Sequence, residues 1–237
     1  MHYFVSSLHD LCIGSVDRSY NRVEIMFLGH IAVGLAGKRA APSVSLATWL
    51  TSVQLVDMLW PIFLLLGLEH VRIAPGITKF TPLDFYDYPI THSLVGSAAW
   101  AAIFGGGCLL VYRSARIAAL LAAGVVSHWV LDVISHRPDM PVLPRGPYLG
   151  LGLWNSVPAT LVVELGMFAT GLVLYVRGGG AGGRRISFWL LIAFLVVVYF
   201  AAAFGPQPPD TRTLAWSALT AWVLVPWAWW ADRITHH

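Results

Sequence analysis

Long apolar runs separated by short polar connectors organise this chain. Residues 43–68, 90–112, 116–136, 157–177, 186–204 and 213–231 are each long and apolar enough to cross a bilayer as an α-helix. A shorter apolar stretch at 26–37 ends in Gly37-Lys38-Arg39. At about 1.5 Å of rise per residue it crosses only part of a membrane. Pro42, Pro89 and Pro158 stand at the starts of three runs, where a missing N–H costs little. The glycine-rich run from Gly178 to Gly183 reads as a flexible connector. The pattern predicts an all-α, polytopic membrane helical bundle of one short N-terminal helix plus about six transmembrane helices. Residues 26–237 form a single domain without an internal repeat.

Composition sharpens this picture. The chain is 57% hydrophobic and 11% charged, whereas a soluble domain carries about 25% charged residues. Mean hydropathy is +0.68. A soluble globular domain is thereby excluded. The two cysteines, Cys12 and Cys108, suggest no disulfide framework. Residues 1–25 carry His2, His9, Asp10, Asp17, Arg18, Arg22 and Glu24 without an apolar core, so they are not a signal peptide. They read either as an upstream extension to a natural start at Met26 or as a polar tail.

The net charge of +3 is spread over connectors and reads as a topology signal rather than a nucleic-acid surface. Lys38 and Arg39, Arg113 and Arg116, then Arg177, Arg184 and Arg185, and finally Arg233, fall on alternate connectors. The positive-inside rule places these in the cytoplasm, with the C-terminus, in the inner membrane of a bacterium. The longer connectors 69–89 and 137–157 then face the periplasm. Arg72, Lys79, Arg137 and Arg145 on those connectors are candidates for holding an anionic head group.

Ionisable side chains at membrane depth are costly and mark function. His128, Asp132 and His136 recur every four residues and so share one helix face. His92 opens the second long span within Thr91-His92-Ser93. Asp57 lies near the middle of the first, Glu164 about two turns into the fourth, and His30 on the short helix. With the assigned orientation all of them share the outer half of the bilayer, and they are expected to meet in one pocket. Histidine and carboxylate are the usual ligands of zinc. His30, Asp57, His92, His128 and Asp132 are the candidate metal ligands, and Glu164 and Asp87 the candidate proton-transfer groups, with an interhelical hydrogen bond or support of a ligand as the favoured alternatives for Glu164. Glu69 and His70 read as residues of a span end. Trp154, Trp189, Trp227, Trp229 and Trp230 read as an interfacial belt.

Gly29-His30, Asp57, Thr91-His92-Ser93-Leu94 and Ser127-His128-x-x-x-Asp132 occur in an order that resembles a LexA-regulated family of bacterial inner-membrane proteins assigned as metal-dependent hydrolases. The resemblance covers roughly residues 26–140. Two elements depart from it. The family tends to carry Pro-Asp-x-Asp-His where this chain reads Gln54-Leu55-Val56-Asp57-Met58. It also tends to carry His-Arg before the Thr-His-Ser element, where this chain has Asp87-Tyr88. Two potential ligands are thereby lost, and a single metal is expected rather than two.

The sequence thus points to a metal-dependent hydrolase near the outer face, acting on a small-molecule or lipid substrate such as a phosphoester or a lipid-linked phosphate. Its expected cofactor is a divalent metal, zinc by preference, and its expected partners are membrane lipids, not nucleic acid. The rival expectations are an ion- or proton-coupled transporter and a structural membrane protein whose polar residues lock helices together.

Overall fold

A computed structural model describes residues 27–178 and 185–232. Helices α1 (Leu28–Ala40), α2 (Leu46–Leu65), α3 (Pro89–His92), α4 (Leu94–Tyr112), α5 (Ala115–Ser135), α6 (Val157–Arg177), α7 (Ile186–Phe204), α8 (Thr211–Ala218) and α9 (Leu224–Asp232) follow in chain order. Among the described residues, five helices are long and apolar enough to cross a membrane: α2, α4, α5, α6 and α7. The expected all-α membrane bundle is therefore what forms. The starts of the long helices follow local chemistry. Ser45, Ser93, Ser114 and Ser156 turn their side chains onto the free main-chain N–H groups of the first turns of α2, α4, α5 and α6.

Three boundaries differ from expectation. Helix α2 starts at its serine cap, Ser45, so Pro42 belongs to the preceding turn rather than to the helix. The span expected over 90–112 is two elements, because Ser93 is extended (φ −75°, ψ 154°) between α3 and α4. The span expected over 213–231 is three: α8, a 3-10 turn over Leu219–Val223, and α9. Pro226 explains that break. It lacks the N–H that would bond back across the turn, and its ring crowds the carbonyl of the residue four before it.

Helix α1 lies along α6, and also packs on α2 and α5, while α4 packs along α5. Gly171 permits the α1–α6 approach, since a Cβ there would collide with the main chain of Ala32. The connectors at one end are folded. Strands β1 (His70–Ile73) and β2 (Leu83–Asp87) form one antiparallel hairpin, and β3 (Met140–Pro141) pairs with β4 (Tyr148–Leu149). Phe85, Tyr88, His136 and Trp154 interlock beneath them, with ring centroids 4.2 Å apart for His136–Trp154 and 4.9 Å for Phe85–His136. Trp154 is buried in this plug and is not a belt residue, whereas Trp189, Trp229 and Trp230 are exposed. Burial and then the nearby Asp139 hold the Tyr88 phenol well above its ordinary range, so it stays a donor, to the Asp139 carbonyl at 3.3 Å. At the opposite end, Lys38 Nζ meets Asp232 Oδ2 at 2.6 Å, and Tyr175 donates to Asp232 Oδ1 at 2.7 Å. That network fastens α9 to α1 and α6.

Candidate metal centre

The site is assembled from four helices. The i, i+4 spacing on α5 puts His128 Nε2 3.2 Å from Asp132 Oδ2. Helix α2 brings Asp57 Oδ1 to 3.4 Å from the same nitrogen. His92, at the end of α3, sets its Nε2 3.2 Å from Asp57 Oδ1 and 3.9 Å from Asp132 Oδ2. His30, on α1, sets its Nε2 3.1 Å from Asp132 Oδ1. The His30 and His128 rings stack with centroids 3.7 Å apart and planes 5° from parallel. All five residues proposed from the sequence as ligands therefore lie in one cluster. His30, His92, His128 and Asp132 are buried, and Asp57 is the member with partial exposure.

The hydrogen bonds behind the cluster decide which way the histidines face. His128 Nδ1 lies 2.7 Å from the Val53 carbonyl, which can only accept. Nδ1 therefore carries the proton, and in the neutral ring Nε2 presents a lone pair to the two carboxylates. His92 is set by a longer relay. The Glu69 carboxylate accepts from the main-chain N–H groups of Ile90 at 2.7 Å and Thr91 at 2.8 Å, and from the Thr91 hydroxyl at 2.6 Å. With its proton given to Glu69, the Thr91 oxygen can accept from His92 Nδ1, 2.7 Å away. His92 Nε2 thus also turns a lone pair inward. Glu69 was read from the sequence as a span-end residue and is instead the buried anchor of this relay.

Two ionised carboxylates facing inward lone pairs need positive charge between them. A proton on His128 Nε2 would supply part of it through the ion-pair contacts with Asp57 and Asp132. Charging both stacked rings would place like charges against one another. One shared cation meets the need. Two zinc ligands at about 2.0–2.1 Å and tetrahedral angles lie roughly 3.4 Å apart, and the nitrogen–oxygen separations here span 3.1–3.9 Å. The ligand atoms fall into two overlapping triads, His30–His128–Asp132 and Asp57–His92–His128, each within 4.8 Å. Both triads draw on the one free nitrogen of His128, so the donor set fits one ion.

Other expected residues lie elsewhere. Glu164 is buried, but its Oε2 accepts from the main-chain N–H groups of Phe27 and Leu28, both at 3.2 Å. Through that oxygen it holds the start of α1, two residues before His30, while its Oε1 is buried without a hydrogen-bond partner among the described residues. Asp87 is exposed at the end of β2 and pairs with His70 at 2.9 Å. His136 points into the aromatic plug and toward Asp139 at 3.0 Å. Arg72 and Arg137, expected to meet a head group, both pair with Asp84. Residues 1–25 lie outside the described residues.

A cavity of about 360 Å³ adjoins the cluster. Asp57 and Gln54, one turn apart on α2, form its polar wall, and α7 with the α8–α9 segment forms its apolar wall.

A family model described as YdjM inner membrane protein matches residues 89–209, just over half of the chain. The matched segment contains His92, His128 and Asp132 and leaves His30 and Asp57 outside. No curated protein and no solved structure matches.

Proposed function

The chain belongs to the YdjM inner membrane protein family, and on that premise we propose that it is a membrane-embedded, metal-dependent hydrolase whose centre is the His30–Asp57–His92–His128–Asp132 cluster. The observation that carries this reading is the pair of histidines, His92 and His128, whose second nitrogens are committed elsewhere so that both Nε2 lone pairs converge on two carboxylates. Second partners that fix the tautomer of a histidine are characteristic of metal ligands. A buried ion-pair lattice with a purely structural role would need no such orientation.

A divalent cation held there, zinc by preference, would supply a Lewis acid and a bound water of lowered pKa. The chain does the rest. Asp132 is enclosed by His30 and His128 and serves to hold charge. Asp57 borders both the cluster and the cavity, and it is the carboxylate placed to take a proton from an attacking water. Water would add across an ester bond: its oxygen joins the acyl or phosphoryl centre, one hydrogen leaves with the alcohol oxygen, and the other passes through Asp57 to solvent. Glu164 acts by holding α1, and thereby His30, in place.

The alternation of basic connectors orients the folded hairpins, and with them the end nearest His92 and Asp132, toward the periplasm. The test of the central claim is metal content. Detergent-purified protein should carry close to one zinc per chain, lost in His128→Ala. Equal, near-zero metal in both, after zinc loading, would overturn it.

A further inference from the structure

The cavity beside the cluster has features of its own. Its volume of about 360 Å³ falls within the roughly 300–1,000 Å³ of small-molecule sites. Asp57 and Gln54 form a polar end. Asp57 belongs to the cluster, and Gln54 keeps a buried carbonyl oxygen without a donor among the described residues. The remainder is mostly aliphatic and aromatic, including Phe194, Val198, Leu214, Ala221 and Leu224, with the hydroxyl residues Tyr199, Ser217 and Thr220 among them.

The opening of this chamber is sideways. Phe194 and Val198 on α7 are 42% and 37% exposed, and Trp222 on the 3-10 turn is 42% exposed. These residues lie within or against helices of membrane-spanning length and hydropathy. Once α7 spans a bilayer, the exposed faces of Phe194 and Val198 would meet hydrocarbon rather than water. The C-terminal segment breaks from helix to 3-10 turn at Leu219–Val223, where Thr220 and Ala221 line the chamber. Trp222 Nε1 pins that break to α2 by donating to the Met58 carbonyl at 2.9 Å, one residue beyond Asp57. Irregular backbone at membrane depth is tolerated where it is enclosed or lines a cavity.

We propose that this chamber is a lipid-tail site: it admits the hydrocarbon chain of a membrane lipid laterally from the bilayer and presents that lipid's ester group to Asp57 and Gln54. The inference rests on the hydrolase reading for its choice of an ester. The tail site itself stands on the chamber alone. A mostly apolar chamber whose one carboxylate and one amide lie where it meets the histidine–carboxylate cluster matches an amphiphile in both polarity and order. A water-soluble substrate would have to cross the folded hairpins and the aromatic plug instead.

The experiment is photo-crosslinking of the full chain in lipid nanodiscs. The probe is hexadecyl phosphate carrying a mid-chain diazirine, run beside its neutral counterpart, methyl hexadecanoate with the same diazirine, and adducts are mapped by mass spectrometry. Adducts should appear on Phe194, Leu214 and Ala221. They should fall roughly tenfold when the chamber is filled from either wall by Ala221→Trp or Ala202→Trp. Two variants on opposite walls keep the result readable should one fail to fold. His128→Ala should retain the adducts, which separates the tail site from the metal. If zinc is absent and the adducts remain, the hydrolase reading falls and the tail site stands. Adducts confined to lipid-facing positions such as Leu110, Val162 and Ile186, or chamber adducts unchanged in both filled variants, would overturn the proposal. A preference for the phosphate or the methyl ester identifies the ester class that the polar end accepts.

Discussion

Glu69→Gln tests the logic of the centre more sharply than removal of any ligand. The carbonyl oxygen of the new amide can keep the two main-chain donors, Ile90 and Thr91, that Glu69 Oε1 now accepts. The new NH₂ group replaces Oε2 opposite the Thr91 hydroxyl, 2.6 Å away. Thr91 can no longer donate there. Its hydroxyl must reverse, accept from the amide and direct its proton at His92 Nδ1. His92 then moves its own proton to Nε2, the nitrogen facing Asp57 at 3.2 Å, and stops being a ligand. Loss of such a supporting partner weakens metal binding by about 10- to 100-fold, or about 1.4–2.7 kcal/mol. The folding cost should stay below about 1 kcal/mol, because the main-chain acceptor survives. Thr91→Val is the contrast. It strands both Glu69 Oε2 and His92 Nδ1 in a buried setting and should cost about 1–3 kcal/mol of stability as well. The assays are zinc titration against a competing chelator and histidine nitrogen NMR, which reports the protonated ring nitrogen directly. Paired with His92→Ala, Glu69→Gln should add nothing further, since both act through one ligand. Wild-type zinc affinity in Glu69→Gln, or a His92 proton still on Nδ1, would refute the relay.

Asp132→Asn should lose more zinc than Glu164→Gln, because Asp132 contacts His30 and His128 while Glu164 contacts main-chain N–H groups; metal stoichiometry of the two purified variants decides. Glu164→Ala should lower thermal stability by about 1–3 kcal/mol for each buried donor it strands at Phe27 and Leu28, read as a fall in melting temperature in detergent. Gly171→Ala should also lower it, since its Cβ would strike the Ala32 main chain, whereas Gly166→Ala, with open space around it, should be neutral or gain up to about 1 kcal/mol of helix propensity. A C-terminal alkaline phosphatase fusion should be inactive, as the alternation of basic connectors predicts for a cytoplasmic C-terminus; an active fusion would reverse the orientation.

The cluster was legible in the sequence because its members obey short-range rules. His128 and Asp132 share a helix face by spacing alone, and His92 announces itself beside a serine that caps the next helix. The grouping of His30 and Asp57 with them followed from depth, given an orientation set by basic connectors. What escaped was everything that depends on long-range pairing. Glu69 meets Thr91 across 22 residues because a hairpin folds between them, and a hairpin in a connector leaves little trace in an apolar pattern. Glu164 meets the start of α1 across 136 residues, so the sequence offers an interhelical role for it but does not name the partner. Asp232 pairs with Lys38 across 194 residues, a contact that no local pattern announces.

The departures from regular helix follow a pattern that hydropathy could not reveal. Ser93 breaks α3 from α4 immediately after His92. Pro61 sits inside α2 four residues beyond Asp57, so the Asp57 carbonyl lacks its usual helical N–H. The 3-10 turn at Leu219–Val223 lies against Met58, next to Asp57. All three irregularities thus lie next to Asp57 or His92, and Asp57 is the cluster member that borders the chamber. Hydrophobic sums treat a proline or a capping serine inside an apolar run as noise, and so the last run passed for a continuous span. Read as backbone chemistry, the same residues mark where the helices stop satisfying their own carbonyls. In a membrane that is affordable only where protein or a lined cavity encloses the backbone. Pro226, beside the 3-10 turn whose Thr220 and Ala221 line the chamber, is therefore the sequence signal for that part of its wall, just as His92, His128 and Asp132 are the signal for the cluster behind it.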